Sequence, residues 1–264
     1  MALGREKSHW DVSLWARRAE AAEEASRILP DCAVSTDLSE VVGGCDIAVL
    51  CTSPHAIAAA GPELKKILPP SAIVTDAGSV KEKIVTALEA EFGGRFVGAH
   101  PMAGSEQSGI QAAREDLFDE AVCILTPTAS TDPEALELVK NLWTAAGCVL
   151  REMGPAEHDR AIARISHLPH AAAVALVHAA VGANPSFAEL GGGGYRDSTR
   201  IAGGPEAMWT EIFLDNREEL LAGIADLQTA LGTLKLALES GNRNALEAFL
   251  SDARRLRSQK PSTE

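Results

Sequence analysis

Between Asp11 and about Met153 short β-rich runs take turns with helical stretches, and this alternation restricts the fold more than any other feature of the chain. DVSLWA precedes an alanine-rich stretch at 19–29, DIAVLCT one at 56–67 and SAIVTD one at 80–91. RFVGAH follows, then AVCILTPT with a stretch at 133–146, then GCVLREM. Such an order predicts an α/β, Rossmann-like doubly wound sheet with crossover helices. From Gly154 onward no strand is predicted. Residues 157–181, 205–239 and 244–257 carry apolar positions at spacings of three and four, interrupted by a glycine-rich linker at 191–194. Two domains are expected: a dinucleotide-binding domain at 1–153, and an all-helical domain at 154–264 whose apolar helices call for a partner surface.

A chain of 264 residues with 46% hydrophobic side chains can fill a core of this size. It has no apolar run of about 18 residues or more and no signal peptide, so a soluble cytoplasmic protein is expected. The five cysteines, Cys32, Cys45, Cys51, Cys123 and Cys148, are odd in number and form no C-x-x-C pair. Reduced thiols are expected, with neither a disulfide framework nor a metal site. A formal net charge of −13 argues against a nucleic-acid partner, which needs a basic footprint. It leaves room for a small anionic substrate, since one local positive pocket suffices.

Chemistry concentrates in four segments. GAHPMAGSEQSG, residues 98–109, puts His100 at a predicted strand end, followed by the hydroxyl of Ser105 and the carboxyl of Glu106. Strand ends of open α/β sheets are where ligands sit. An imidazole with an unperturbed pKa near ~6.5 can take a proton from a substrate hydroxyl there; the alternative is a histidine that caps a turn. In TDAGSVKEK, residues 75–83, Ser79 stands where a helix should begin, at the same strand-end crevice. ISHLPH places His167 and His170 on one side of a helix if its proline occupies the first turn. In GGGGYRDSTRIAGGPEAMWTEIF, Arg200 offers a planar fork of donors that fits a carboxylate. Together they describe an anion-binding, proton-moving pocket.

The strings GSVK, HPMAGSE followed by SG, ILTPT, SHLPH, GGGYRDSTRIA, and MW with its downstream IFLDN stand in one order. From Trp10 to the end, the chain resembles the prephenate and arogenate dehydrogenase family of tyrosine biosynthesis. The resemblance implies NAD(P)-dependent oxidative decarboxylation of prephenate to 4-hydroxyphenylpyruvate, in a homodimer joined through the helical domain. It makes His100 the base on the ring hydroxyl, with Ser79 bonding near that hydroxyl and orienting His100. Arg200 clamps a substrate carboxylate. His170, Ser166, Ser105 and Glu106 line the substrate pocket, and Thr52, Ser53 and Pro54 touch the cofactor. His167 is either a structural residue or a substrate contact, and Trp209 either lies near the dimer contact or is plain core. His9, His55, His158 and His178 have no motif behind them. Prephenate and arogenate differ by a keto against an amino group, and no residue decides between them.

Two departures from the family bear on the cofactor. Ala16 stands where an NAD-preferring sheet places an acid after its second strand, and Arg17 and Arg18 follow. This favours NADP over NAD, against the alternative of two arginines that open a surface helix. There is also no G-x-G-x-x-G turn ahead of DVSLWA; Met1 to Lys7 resembles instead the tail of the first crossover helix. Either the chain starts at an internal methionine, which is the preferred reading, or the protein exists without the pyrophosphate cradle. On the preferred reading, upstream DNA encodes an apolar strand and a glycine turn, whose restoration strengthens NADP binding at least about a hundredfold. A β-hydroxyacid dehydrogenase shares the architecture but lacks the HPMAGSE and SHLPH pair. A non-catalytic remnant is the reading that the absent glycine turn supports.

Overall fold

A computed structural model describes residues 1–4, 10–103 and 109–258. They form two compact units, Met1–Arg217 and Glu218–Glu264.

The first unit opens with β1 (Ser13–Trp15), α1 (Ala19–Ile28), β2 (Ala33–Ser35), α2 (Leu38–Val42), β3 (Ile47–Leu50), α3 (Pro54–Ala59) and α4 (Gly61–Ile67). β4 (Ile73–Asp76), α5 (Glu82–Phe92), β5 (Phe96–Pro101), β6 (Val122–Thr126), α6 (Pro133–Ala145) and β7 (Val149–Glu152) follow. The strand β2 is not foreseen in the sequence, because three residues are too few to show an alternation. The helix expected at 56–67 is two helices, since Pro62 has no N–H to continue the ladder across the break.

Strands β3 to β7 form one sheet in chain order, while β1 and β2 pair separately. Among the described residues β1 and β3 each pair on one side only. Pairing is parallel except between β5 and β6, where Gly98 lies opposite Thr126 and Pro101 opposite Cys123. The sheet is therefore mixed, within the Rossmann-like α/β architecture that the alternation predicts. Among the described residues the β5–β6 connection contains only a 3-10 turn, Ile110–Ala112, so no helix carries the chain back to the starting end and it returns antiparallel.

Alternation along β5 feeds two cores. Phe96 packs with Ile57, Leu64, Val74, Ile84 and Leu88 on one face, and Val97 with Leu125, Val139 and Trp143 on the other. Each such side chain contributes roughly 1.5–3 kcal/mol by leaving water. All six residues of β5 are buried, so His100 is delivered at the end of the most enclosed strand.

After β7 the unit is helical: α7 (Pro155–Ile162), a π turn (Ala163–His167), α8 (Leu168–Val181), α9 (Gly193–Thr199) and α10 (Glu206–Asp215). α7, the π turn and α8 run on without a break, so Pro169 stands inside a continuous helix, just after the wider register of the π turn, and has no N–H to give to that ladder. The glycine linker expected at 191–194 is partly helix, with Gly192 as N-cap and Gly193 opening α9. The helix expected at 205–239 breaks at Asn216.

Most of α11 (Arg217–Glu239), with α12 (Arg243–Ser258), forms the second unit. Gly241, at φ +60°, makes the left-handed turn between them, and Asn242 accepts the Ala245 N–H at 3.1 Å to start α12. No helix among the described residues is long and apolar enough to cross a membrane.

Candidate active site

His100 is the penultimate residue of β5, with 8% of its surface exposed, and its Nδ1 lies 2.9 Å from Nε2 of His158. His158 is wholly buried in the first turns of α7, with its Nδ1 2.7 Å from Oδ1 of Asp159. Asp159 in turn accepts the main-chain N–H groups of Lys81 and Glu82, at 2.7 and 2.9 Å, on separate oxygens. A carboxylate there caps the start of α5 from another element, where the helix dipole and free amides favour negative charge. Burial works to raise its pKa, but the bonds from His158, Glu82 and Lys81 outweigh that and hold it below the usual carboxylate range.

These contacts fix the protons. An ionised carboxylate only accepts, so His158 Nδ1 carries hydrogen. Its Nε2 then accepts from His100 Nδ1, which leaves His100 Nε2 with a free lone pair. Burial holds His100 well below the ordinary imidazole pKa, with His158, Lys81 and His167 adding to the effect. Burial likewise lowers His158, against the pull of Asp159. The arrangement leaves a neutral imidazole with one basic nitrogen at the strand end.

A second cluster continues from the first. The side-chain amide of Asn216 donates to the Asp159 carbonyl at 2.8 Å and sits 3.2 Å from Nδ1 of His167. A main-chain carbonyl only accepts, so the amide nitrogen faces both, His167 Nδ1 is an acceptor, and its hydrogen is on Nε2. That Nε2 is buried without a partner, as is Nδ1 of His170. His170 stacks on Trp209 with ring centroids 3.5 Å apart, while His167 meets the same indole edge-on at 6.3 Å. The two histidines of SHLPH thus share one neighbour, as their spacing requires. Burial pulls His167 down to about 4 and lowers His170 as well. Buried polar atoms in folded proteins almost always find partners, and these two imidazole nitrogens could bond the oxygens of a ligand.

The other residues singled out in the sequence fall as follows. Ser79 is half-buried just past β4, with no hydrogen bond to His100, whose Nδ1 meets His158. Ser166 is half-buried in the π turn, and Arg200 is exposed where α9 passes into a 3-10 turn. Ser105 and Glu106 lie outside the described residues. Arg17 and Arg18 are exposed after β1; beyond β3, Thr52 is exposed, Ser53 half-buried and Pro54 buried. These groups could meet the ribose and nicotinamide parts of a dinucleotide. No glycine turn between a strand and a helix, fit for its pyrophosphate, occurs among the described residues.

His158 has no motif behind it in the sequence, and Asp159, Lys81 and Asn216 are not singled out there as site residues. The one trace of the first two was an adjacent His-Asp pair in the opening turn of the helix after the last strand. Asn216 left none.

Two family models divide the chain between them. The prephenate dehydrogenase nucleotide-binding domain matches residues 1–152, and the prephenate dehydrogenase dimerization domain matches 154–252. Prephenate dehydrogenase of Bacillus subtilis is 44% identical over 154 residues, which is 56% of this chain and 42% of that protein, so the matched stretch spans less than half of it. Its namesake from Lactococcus lactis is 32% identical over 97% of this chain and 73% of its own length. Among solved structures, prephenate dehydrogenase from Aquifex aeolicus with hydroxyphenyl propionate and NAD+ superposes with a TM-score of 0.88 at 33% identity, over 97% of this chain and 90% of that one. The strand-end imidazole and the buried histidine bonded to it lie on a frame that the two family models together match over residues 1–152 and 154–252, and the chain belongs to the prephenate dehydrogenase family.

Proposed function

We propose that this protein oxidatively decarboxylates prephenate to 4-hydroxyphenylpyruvate with a nicotinamide dinucleotide. The observation that carries the reading is the Asp159–His158–His100 chain, which leaves a basic nitrogen on His100 with no proton of its own. His100 Nε2 holds the proton of the ring hydroxyl while hydride departs from the carbinol carbon. As the ring carboxylate leaves as carbon dioxide, its bonding electrons aromatise the ring and the proton returns to the phenol oxygen. A bound nicotinamide supplies the hydride acceptor. Arg200 and the vacant nitrogens of His167 and His170 bind the anionic and keto oxygens. Ser79, Ser166, Ser105 and Glu106 complete the pocket, with Thr52, Ser53 and Pro54 on the cofactor side.

The Aquifex relative was solved with NAD+, so NAD is proposed ahead of the NADP that Ala16, Arg17 and Arg18 favour. The matched dimerization domain supports a homodimer. The test is to incubate the purified chain with prephenate or arogenate and either dinucleotide, following nicotinamide reduction and the aromatic product. Faster turnover of prephenate is expected. Reduction with arogenate alone, or with neither substrate, would overturn the reading.

A further inference from the structure

Among the described residues Lys81 is the largest side chain wholly withdrawn from solvent. Its ammonium binds the carboxylate of Asp76 and donates at 2.9 Å to the carbonyl of Ala99, the peptide that leads into His100. Its main-chain N–H meets Asp159 on Oδ1, the oxygen that also accepts from His158. Asp76 completes the grip by accepting the Ala99 N–H at 3.1 Å on its other oxygen. One residue therefore ties together the peptide ahead of the first imidazole and the carboxylate behind the second. A buried ion pair is a poor source of stability, because desolvation cancels much of its attraction and well-packed apolar groups often serve as well. What the ammonium holds in place accounts for it better than what it adds to the core.

We propose that Lys81 is the positioning residue of this centre: by gripping Ala99 and Asp159 it sets His100 against His158 and keeps His100 as the proton acceptor. The proposal rests on the reading of His100 as the base. Charge acts in the same direction as geometry. Burial opposes protonation of His100 most, followed by His158 of α7, Lys81, and His167 of the π turn. Asp76 of β4 and Asp159 of α7 supply the negative charge around the pair, and the Cys123 thiol of β6 is driven far up and stays neutral.

The test uses the full chain as Lys81→Met and as the charge-balanced double variant D76N/K81M. Thermal melting reports folding. Nitrogen NMR of the histidine rings, read without substrate and assigned with H100N, gives the tautomer and titration of His100. Turnover is then measured against pH. The double variant is expected to fold, to titrate His100 at higher pH than the parent, and to lose kcat by at least about tenfold through misplacement of the base. Its KM should stay within about threefold, as ground-state contacts are untouched. A folded double variant with parental titration and parental kcat would overturn the proposal. So would unfolding of both variants, which would make Lys81 a residue of the core alone. If the parent failed to oxidise prephenate, the functional reading would fall, while the substrate-free titration would still decide the role of Lys81.

Discussion

The proton inventory of His100 leads to distinct outcomes for the two groups behind it. His100→Asn keeps size and some hydrogen bonding but cannot accept a proton near neutrality, so kcat should fall by about 10² or more with little change in KM. Steady-state kinetics with prephenate checks this. Asp159→Asn acts further back: an amide no longer compels His158 to carry hydrogen on Nδ1, and the lone pair on His100 Nε2 is no longer guaranteed. A loss of at least about tenfold in kcat is expected, with His100 shifted toward the other tautomer by NMR. Unchanged ring signals would break the link between the two residues. Arg200→Ala removes a charge-assisted partner that contributes roughly 1.5 kcal/mol or more, so KM for prephenate should rise at least about tenfold. Cofactor affinity, measured by calorimetry, should barely move.

Among the elements, the π turn and the break at Asn216 shape the site most. Nine residues separate His158 from His167, and at about 100° per residue a regular helix would put them on opposite sides. The wider i to i+5 turn at Ala163–His167 takes rotation out of that count, and Asn216 bridges what remains. Gly204 sets the wall: a Cβ there would lie 2.5 Å from Trp209 Nε1 and 3.3 Å from His170 Cε1. Gly204→Ala should displace the indole, raise KM by roughly tenfold and cost about 1–3 kcal/mol of overpacking. Tryptophan fluorescence and the substrate dependence of the rate would show it, and an unchanged KM would refute the placement of that wall. The same elements show how far the sequence could be read. His100 was legible because it ends a strand inside a dense polar motif, and the SHLPH pair because its spacing matches a helix turn. His158 was not, for its partner lies 58 residues away and no local spacing records it. Counting at the period of an α-helix hides a π turn, and the pattern of β6 carries no sign of its direction.

For the first unit as a whole, buried neutral histidines set the response to acid. His167, near 4 in the folded protein, stays unprotonated while the unfolded chain takes up a proton near ~6.5. The unfolded state binds more protons in that window, so stability falls as pH drops from about 6.5 to about 4, by about 1.4 kcal/mol per pH unit for that group. His100 and His158, also lowered, act with the same sign. Melting temperatures recorded across this range should decline steeply, and His167→Gln should flatten the curve. A parent protein whose melting point is level from neutrality to pH 4 would contradict the burial of these rings. The same ionisation pattern gives the centre a definite charge. Lys81 cancels Asp76, the three imidazoles carry none, and Asp159 leaves the interior with a single negative charge at rest. A proton received by His100 neutralises that surplus, so the interior is electrically balanced during the interval in which the ring surrenders hydride and carbon dioxide, and anionic again once the phenol has formed.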